Sequence, residues 1–416
     1  MASKREFDLV LYGATGFVGK LTALYLAKAA PPKARIALAG RSLPKLKAVR
    51  DEIGGVAANW SVVVADASDQ NDLDALAKRT KVVVTTVGPY LRYGLPLVQA
   101  CAQAGTHYAD LTGEPPFIRE AIDHYDTVAA GSGAKIVNSC GFDSVPSDLS
   151  AYLIYEKSLE DNTGELEDTT LVAKIKGGMS GGTIDSGRAM MEAAAENPAA
   201  QRTIADPYSL SPDRSLEPKG RQSDIALRRA SSIDPSLDGW VTTFVMAAHN
   251  GKIVRRSNAL LGWAYGKNFR YNEVMSTGSS IAAPVIAAGV TGGLVAGMAT
   301  GALLSRVSLG RKVLDKVLPK PGTGPSEETR DNGFFTMKTF SRTSSGAKYL
   351  ATFSAQGDPG YKATAVLLGE SGLCLAFDDK QLPELSGILT PATAMGEPLA
   401  DRLRAAGMTI TVERLT

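Results

Sequence analysis

An apolar run, Phe7-Asp8-Leu9-Val10-Leu11-Tyr12, passes directly into Gly13-Ala14-Thr15-Gly16-Phe17-Val18-Gly19 and then into a helical stretch from Lys20 to Ala30. A strand, a glycine turn and a helix in immediate succession leave few folds open, because the helix must lie back along the strand it follows. Glycines three apart permit a tight turn, a close approach of backbone to ligand, and close packing of helix on strand. The unpaired N–H groups and positive end of such a helix suit the diphosphate of a dinucleotide. The spacing is G-x-x-G-x-x-G rather than G-x-G-x-x-G, so on this motif alone a chance glycine-rich turn stays open.

The surroundings favour the dinucleotide. A second apolar run, Arg35-Ile36-Ala37-Leu38-Ala39, ends in Gly40-Arg41-Ser42, about twenty residues on, where an adenine ribose belongs. An enzyme using the unphosphorylated cofactor places a carboxylate there. Arg41 and the Ser42 hydroxyl suit a 2′-phosphate instead, which predicts NADP(H). The bland alternative is that Arg41 is an exposed cation at a helix start.

Further runs at Trp60–Ala65, Lys81–Thr86, His107–Leu111 and Lys135–Asn138 alternate with amphipathic stretches. Short strands this apolar read as a parallel sheet buried on both faces. Residues 1–145 are therefore predicted to form an NADP-binding Rossmann-type α/β domain, a doubly wound parallel sheet. Strand patterns at 166–176, 241–247, 333–342 and 347–355 lack crossover helices between them, which predicts a second α+β domain over 146–390, for substrate or dimerisation, with an open sheet covering the cofactor. A C-terminal helix and strand, 391–416, are expected to pack back on the first domain.

Val274 to Ser305 carries no charge, and Gly289, Gly293, Gly297 and Gly301 recur every four positions within it. Such a repeat on a helix lets another backbone approach closely. As a helix, Pro284 to Leu304 would reach about 31 Å, enough to cross a bilayer. Basic residues on both sides suit anionic headgroups, so 279–304 is expected to make peripheral membrane contact. A buried glycine-rich helix, in the second domain or at a homodimer interface, is the alternative.

The loop Val87-Gly88-Pro89-Tyr90-Leu91-Arg92-Tyr93-Gly94 leaves the carboxyl end of the fourth strand, where ligands bind in open α/β sheets. Val87, Gly88 and Pro89 are expected against the nicotinamide, and Asp66 against the adenine amino group, unless Asp66 is a helix cap. Tyr90, Tyr93 and Tyr108 are candidate hydrogen-bond or proton donors, with helix-start packing as the alternative for the first two. The fifth strand ends in Tyr108-Ala109-Asp110-Leu111-Thr112-Gly113-Glu114-Pro115 and the sixth in Ser139-Cys140-Gly141-Phe142-Asp143-Ser144-Val145-Pro146-Ser147-Asp148, so polar groups crowd both ends, with Ser147 or Asp148 read as a cap for the next helix. None of the 13 tyrosines is followed by lysine four positions later, which disfavours carbonyl reduction by a Tyr/Lys pair.

Composition excludes several classes. With 45 basic and 43 acidic residues the net charge is +2, which argues against nucleic acid as a main partner. Three widely spaced cysteines (Cys101, Cys140, Cys374) and three histidines predict no disulfide framework and no metal centre, and a cytoplasmic setting. The first strand starts within a few residues of Met1, which leaves no room for a signal peptide.

Eight ordered motifs carry a resemblance: GATGFVG, ALAGRS, TTVGPY, HYADLTGE, CGFDSVPSDL, SGGT from Ser180 to Thr183, GDPGYKATA at 357–365, and LTPATAMG at 389–396. They look like the saccharopine-dehydrogenase-like oxidoreductases, and within these the mycobacterial trans-acting enoyl reductase family. The resemblance implies an NADPH-linked enzyme of complex lipid assembly. It would work beside a polyketide synthase and saturate a carbon–carbon double bond in a thioester-bound or acyl-carrier-bound intermediate, as in phthiocerol-type lipids. It supplies no catalytic residue. Two other readings stay open: a saccharopine-like dehydrogenase of amino-acid-type metabolites, for whose carboxylates Arg255-Arg256 could serve, and a lipid-associated protein that holds NADP(H) without turnover.

Overall fold

The computed structural model describes residues 5–177, 181–218, 225–293 and 325–415. Ser180 of the SGGT motif and residues 294–305 of the charge-free segment lie outside them. The chain builds two seven-stranded sheets. The first takes β1 (Phe7–Tyr12), β2 (Ile36–Gly40), β3 (Ser61–Val64), β4 (Thr80–Thr85), β5 (His107–Ala109) and β6 (Lys135–Val137), all parallel. The second takes β7 (Leu166–Lys176), β8 (Leu227–Arg229), β9 (Trp240–Thr243), β10 (Arg270–Gly278), β11 (Phe334–Thr343) and β12 (Lys348–Gln356). Two short strands finish the set, β13 (Gly387–Leu389) on the first sheet and β14 (Thr409–Leu415) on the second.

The order of the first sheet is β13-β6-β5-β4-β1-β2-β3. Order reverses between β1 and β4, and the crevice at that switch point is where such sheets take their ligands. Side chains alternate across the strand: Leu9 and Leu11 join one hydrophobic cluster, Val10 and Tyr12 another. Both faces are thus dry, which explains runs with no polar alternation.

One face is covered from far downstream. Helix Thr364–Phe377 lies so close to the sheet that a Cβ on Gly372 would sit 2.4 Å from Val84 Cγ2, and one on Gly369 2.6 Å from the Tyr25 ring. β13 then pairs with β6 at the sheet edge. The terminal strand does not follow its helix onto the first domain: β14 pairs with β12 of the second sheet over Lys348–Leu415 to Ser354–Thr409.

The second sheet runs β14-β12-β11-β7-β10-β9-β8, antiparallel except for β7 beside β10. Its inner face packs on helix Val145–Glu160, and nearby the Phe142, Phe335 and Phe353 rings meet in sequence, tilted, at 4.9 and 5.9 Å. The charge-free stretch opens inside β10, since Val274 to Gly278 belong to that strand. Residues 283–293 are helical, and among the described residues no helix is long and apolar enough to cross a membrane.

Arg255 and Arg256 are buried, not turned to lipid or solvent. Arg256 is 1% exposed, and its guanidinium donates to the carbonyls of Leu210 and Ile388. Arg255 donates to the Tyr271 carbonyl. Helix Ala247–Leu260 carries both into the seam between sheets, where carbonyls without a strand partner need donors. Neither guanidinium is offered to a substrate carboxylate.

Candidate active site

The glycine turn has the geometry its spacing promises. Gly13 holds φ at +90°, and a Cβ there would lie 2.8 Å from both Thr86 Oγ1 and Val87 Cγ2. A Cβ on Gly19 would lie 2.2 Å from the Gly13 carbonyl oxygen, so only glycine lets helix Phe17–Ala29 come this near β1. Gly16 is the N-cap, with no side-chain capping bond and no acidic residue in the first turn. The helix therefore presents open N–H groups and a positive end, while Thr15 and Gly16 are exposed. Ala14 is buried beneath the turn. The second domain supplies an outer wall: the Phe17 ring meets Tyr361 edge-on at 4.9 Å, and the Arg330 guanidinium lies 5.4 Å above Phe17.

At their carboxyl ends, the neighbouring strands β2 and β3 bring Arg41, Ser42 and Asp66 together. Arg41 is exposed and, among the described residues, has no ion-pair partner. Its charge acts on both Tyr12 and Asp66. Ser42 is the N-cap of helix Leu43–Ile53 yet makes no capping bond, so its hydroxyl remains open. Asp66 does not cap the next helix; Asp69 does. Asp66 instead accepts from the Ser68 amide and hydroxyl, which hold its carboxyl below the usual range. A cation and a hydroxyl at this spot, with one carboxylate already partly engaged, fit a 2′-phosphate.

At the other end, the loop Val87-Gly88-Pro89 is fixed against the turn, because Thr86 donates its amide to Tyr12 and its hydroxyl to Gly13. Of the three tyrosines, Tyr90 and Tyr108 are buried near each other and near Asp110. Tyr90 is buried; its hydroxyl donates to the Thr85 carbonyl and accepts from the Leu111 amide. Tyr108 is fully buried and donates to Asp110 Oδ2 at 2.9 Å. Tyr93 is 44% exposed.

Polar groups behind these strands form a dense network. The Asp110 carboxylate also accepts from Asn138 Nδ2 and from the amides of Thr112 and Ser139. Burial pushes Asp110 up to about 6 despite these bonds. Ser139 sits at φ +63°, a left-handed conformation rare for a serine, and its hydroxyl donates to the Thr112 carbonyl. His249 Nε2 lies 3.0 Å from the same hydroxyl, and burial pushes this histidine down to about 3, so it is neutral. Glu114 accepts from the amides of Tyr90 and Leu91 and from the Ser186 hydroxyl, tying β5's end to the Pro89 loop and to helix Gly181–Glu196. Sequence reasoning missed the Ser139–His249 pair. His249 lies 110 residues from Ser139, with no local pattern around it.

Residues 9–137 match the family model of the saccharopine dehydrogenase NADP binding domain. A trans-acting enoyl reductase of Mycobacterium ulcerans (strain Agy99) is 51% identical over 419 residues, covering 100% of this chain and 99% of that one. The same figures hold for a trans-acting enoyl reductase of Mycobacterium tuberculosis (strain ATCC 25618 / H37Rv). A further chain of that strain, provisionally named for the same activity, is 55% identical over the same span. Among solved structures, the saccharopine dehydrogenase (L-Glu forming) of Saccharomyces cerevisiae superposes with a TM-score of 0.55 at 13% identity, covering 98% of this chain and 99% of that one. That last likeness establishes the fold.

Proposed function

The chain belongs to the trans-acting enoyl reductases built on the saccharopine dehydrogenase fold, and from that premise we propose that it saturates the α,β double bond of a thioester-bound polyketide or lipid intermediate. It is an NADP(H)-dependent oxidoreductase. The observation that carries the reading is the glycine turn facing open N–H groups, with Arg41 and Ser42 at the adenosine end. The nicotinamide, when bound, supplies a hydride. The protein's part is to hold and orient. The first turn of helix Phe17–Ala29 takes the diphosphate, Arg41 and Ser42 take the 2′-phosphate, and the Val87-Gly88-Pro89 loop backs the nicotinamide. Adding hydride to the β-carbon drives charge onto the thioester oxygen, which needs a hydrogen-bond donor. Of the three tyrosines, Tyr93 has the accessible hydroxyl, and it is our candidate for that donor. The partner implied is a polyketide synthase that presents the intermediate, in phthiocerol-type lipid assembly.

The test is turnover of a 2-alkenoyl thioester by the full-length protein, followed by mass of the saturated product. We expect reduction with NADPH and little with NADH. Arg41→Ala should erase more than tenfold of that preference, since a charge-assisted phosphate contact is worth about 1.5–3 kcal/mol. Wild-type protein that binds NADPH yet leaves the thioester unsaturated would sink the reading. The dehydrogenase of amino-acid-type metabolites is less favoured, because Arg255 and Arg256 are committed to backbone carbonyls.

We also propose a peripheral lipid contact near residues 279–304. Support comes from Ile281, Val285 and Ile286, which are 101%, 74% and 48% exposed. Replacing all three with serine should lower flotation with anionic liposomes severalfold. Unchanged flotation, or a shift from dimer to monomer in its place, would assign this face to a second copy instead.

A further inference from the structure

Three carboxylic acids stand at the ends of β5 and β6, and two of them are fully occupied. Asp110 takes four donors, and Glu114 takes three. Asp143 differs. Its neighbours in the chain are pinned: the Phe142 N–H donates to Thr364 Oγ1, and the Ser144 hydroxyl donates to Asn250 Oδ1. Its own carboxyl makes no hydrogen bond and no ion pair among the described residues.

Its surroundings are open on one side and apolar on the other. A Cβ placed on Gly113 would lie 3.8 Å from Asp143 Oδ2 and 3.9 Å from Met246 Cε. Glycine at 113 therefore leaves room beside the carboxyl for about one small group. That room adjoins the cofactor loop, because the next residue, Glu114, binds the amides of Tyr90 and Leu91 directly after Pro89. The strand order β6-β5-β4 places the three chain ends side by side at the carboxyl edge of the sheet.

Resting on the enoyl reductase reading above, we infer that Asp143 is the acid that protonates the α-carbon of the enoyl thioester. Hydride addition at the β-carbon releases the π pair of the double bond toward the α-carbon and the thioester oxygen. The Asp143 O–H bond breaks, that pair forms the new α-C–H bond, and the carboxylate left behind recovers a proton from water. One hydride and one proton are consumed per double bond. Burial alone pushes Asp143 up to about 6, which keeps an acid in reserve near neutrality. Of the titratable groups on neighbouring elements, Asp110 and Glu114 are engaged as above, Lys252 donates to the Asp206 carbonyl, His249 is neutral against Ser139, and Asp358 accepts from the Lys362 amide. His249 holds no proton to give.

Two readouts test this. In the protein alone, a pH titration of carboxyl signals by infrared or carbon NMR should show two groups titrating near 6 in wild type, Asp110 and Asp143, and Asp143→Asn should remove one of them. An Asp143 signal at the ordinary aspartate value of 3.8 overturns the assignment. In turnover, Asp143→Asn should bind NADPH as wild type does, since its carboxyl holds no structural bond, but reduce the thioester roughly 100-fold more slowly or worse. Asp143→Glu, which keeps an acid, should recover part of that rate. An Asn variant as active as an active wild type overturns the assignment alone. A wild type that leaves the thioester untouched overturns the substrate reading and the assignment together.

Discussion

Gly19→Ala is expected to abolish usable NADPH binding, with an affinity loss of 100-fold or more, about 2.7 kcal/mol. The added methyl would stand 2.2 Å from the Gly13 oxygen, 2.9 Å from its carbonyl carbon and 3.0 Å from Ala14 Cα. All three are backbone atoms, so no side-chain rotation relieves the clash. The helix must tilt away from β1 or the turn must open. Either movement displaces the first-turn N–H groups that would face the diphosphate. Overpacking of this kind typically costs about 1–3 kcal/mol of stability, so thermal unfolding should also shift downward. Gly16→Ala is the internal control. Its Cβ would meet only the Gly13 oxygen, at 3.4 Å, and the fold should tolerate it. Fluorescence titration of NADPH on both variants, with thermal melts, decides the matter. Wild-type affinity in Gly19→Ala would show that the helix terminus does not carry the diphosphate.

The turn was legible because everything it needs lies within seven residues. The same holds for the first six strands: each is a short apolar run closed by a helix pattern, and each was found within two residues of its place. The second sheet was legible in outline because its strands alternate polar and apolar faces. What stayed hidden depends on partners distant in the chain. β13 is three residues long, and nothing local marks Gly387-Ile388-Leu389 as a partner for β6, some 250 residues earlier. Arg255 and Arg256 read as possible partners for substrate carboxylates, because no local pattern reveals that the carbonyls of Tyr271 and Ile388 await them in the seam. The start of the charge-free stretch gave no sign of β10, because hydropathy windows do not see that Val274 pairs with Thr243 and Val172 inside a sheet. Tyr90 looked available as an acid. Its hydroxyl is spent on Thr85 and Leu111, the second of which lies 21 residues on. The site's polar residues were visible as a crowd, and only the fold separates those that hold the crowd together, such as Asp110 and Glu114, from Asp143, whose carboxyl makes no hydrogen bond among the described residues.

Asp110→Ala tests that separation from the structural side. Its carboxylate gathers the Tyr108 hydroxyl, the Asn138 amide and the backbone amides of Thr112 and Ser139, at 2.8–3.0 Å. Alanine would leave four buried donors without an acceptor, and each such group costs about 1–3 kcal/mol when stranded. Relaxation and water entry will recover part of this, so we expect a net loss of about 4 kcal/mol in denaturant unfolding at neutral pH, a large share of a domain's stability. Ser139 would also lose the amide bond that helps hold it at φ +63°, and NADPH affinity should fall as the β5 and β6 ends loosen. The pH dependence gives a second signature. Folded, the carboxyl holds its proton up to about 6; unfolded, it titrates at the ordinary value of 3.8. Between those values the folded wild type binds a proton that the unfolded chain has released. Its contribution therefore grows as pH falls through this window and is lost as pH rises through the folded value. Alanine cannot titrate, so the gap between wild type and variant should widen on acidification, by about 3 kcal/mol over the window. A loss below about 1 kcal/mol, or a gap that ignores pH, would mean that the four donors find other acceptors and that Asp110 is not the post around which the strand ends are tied.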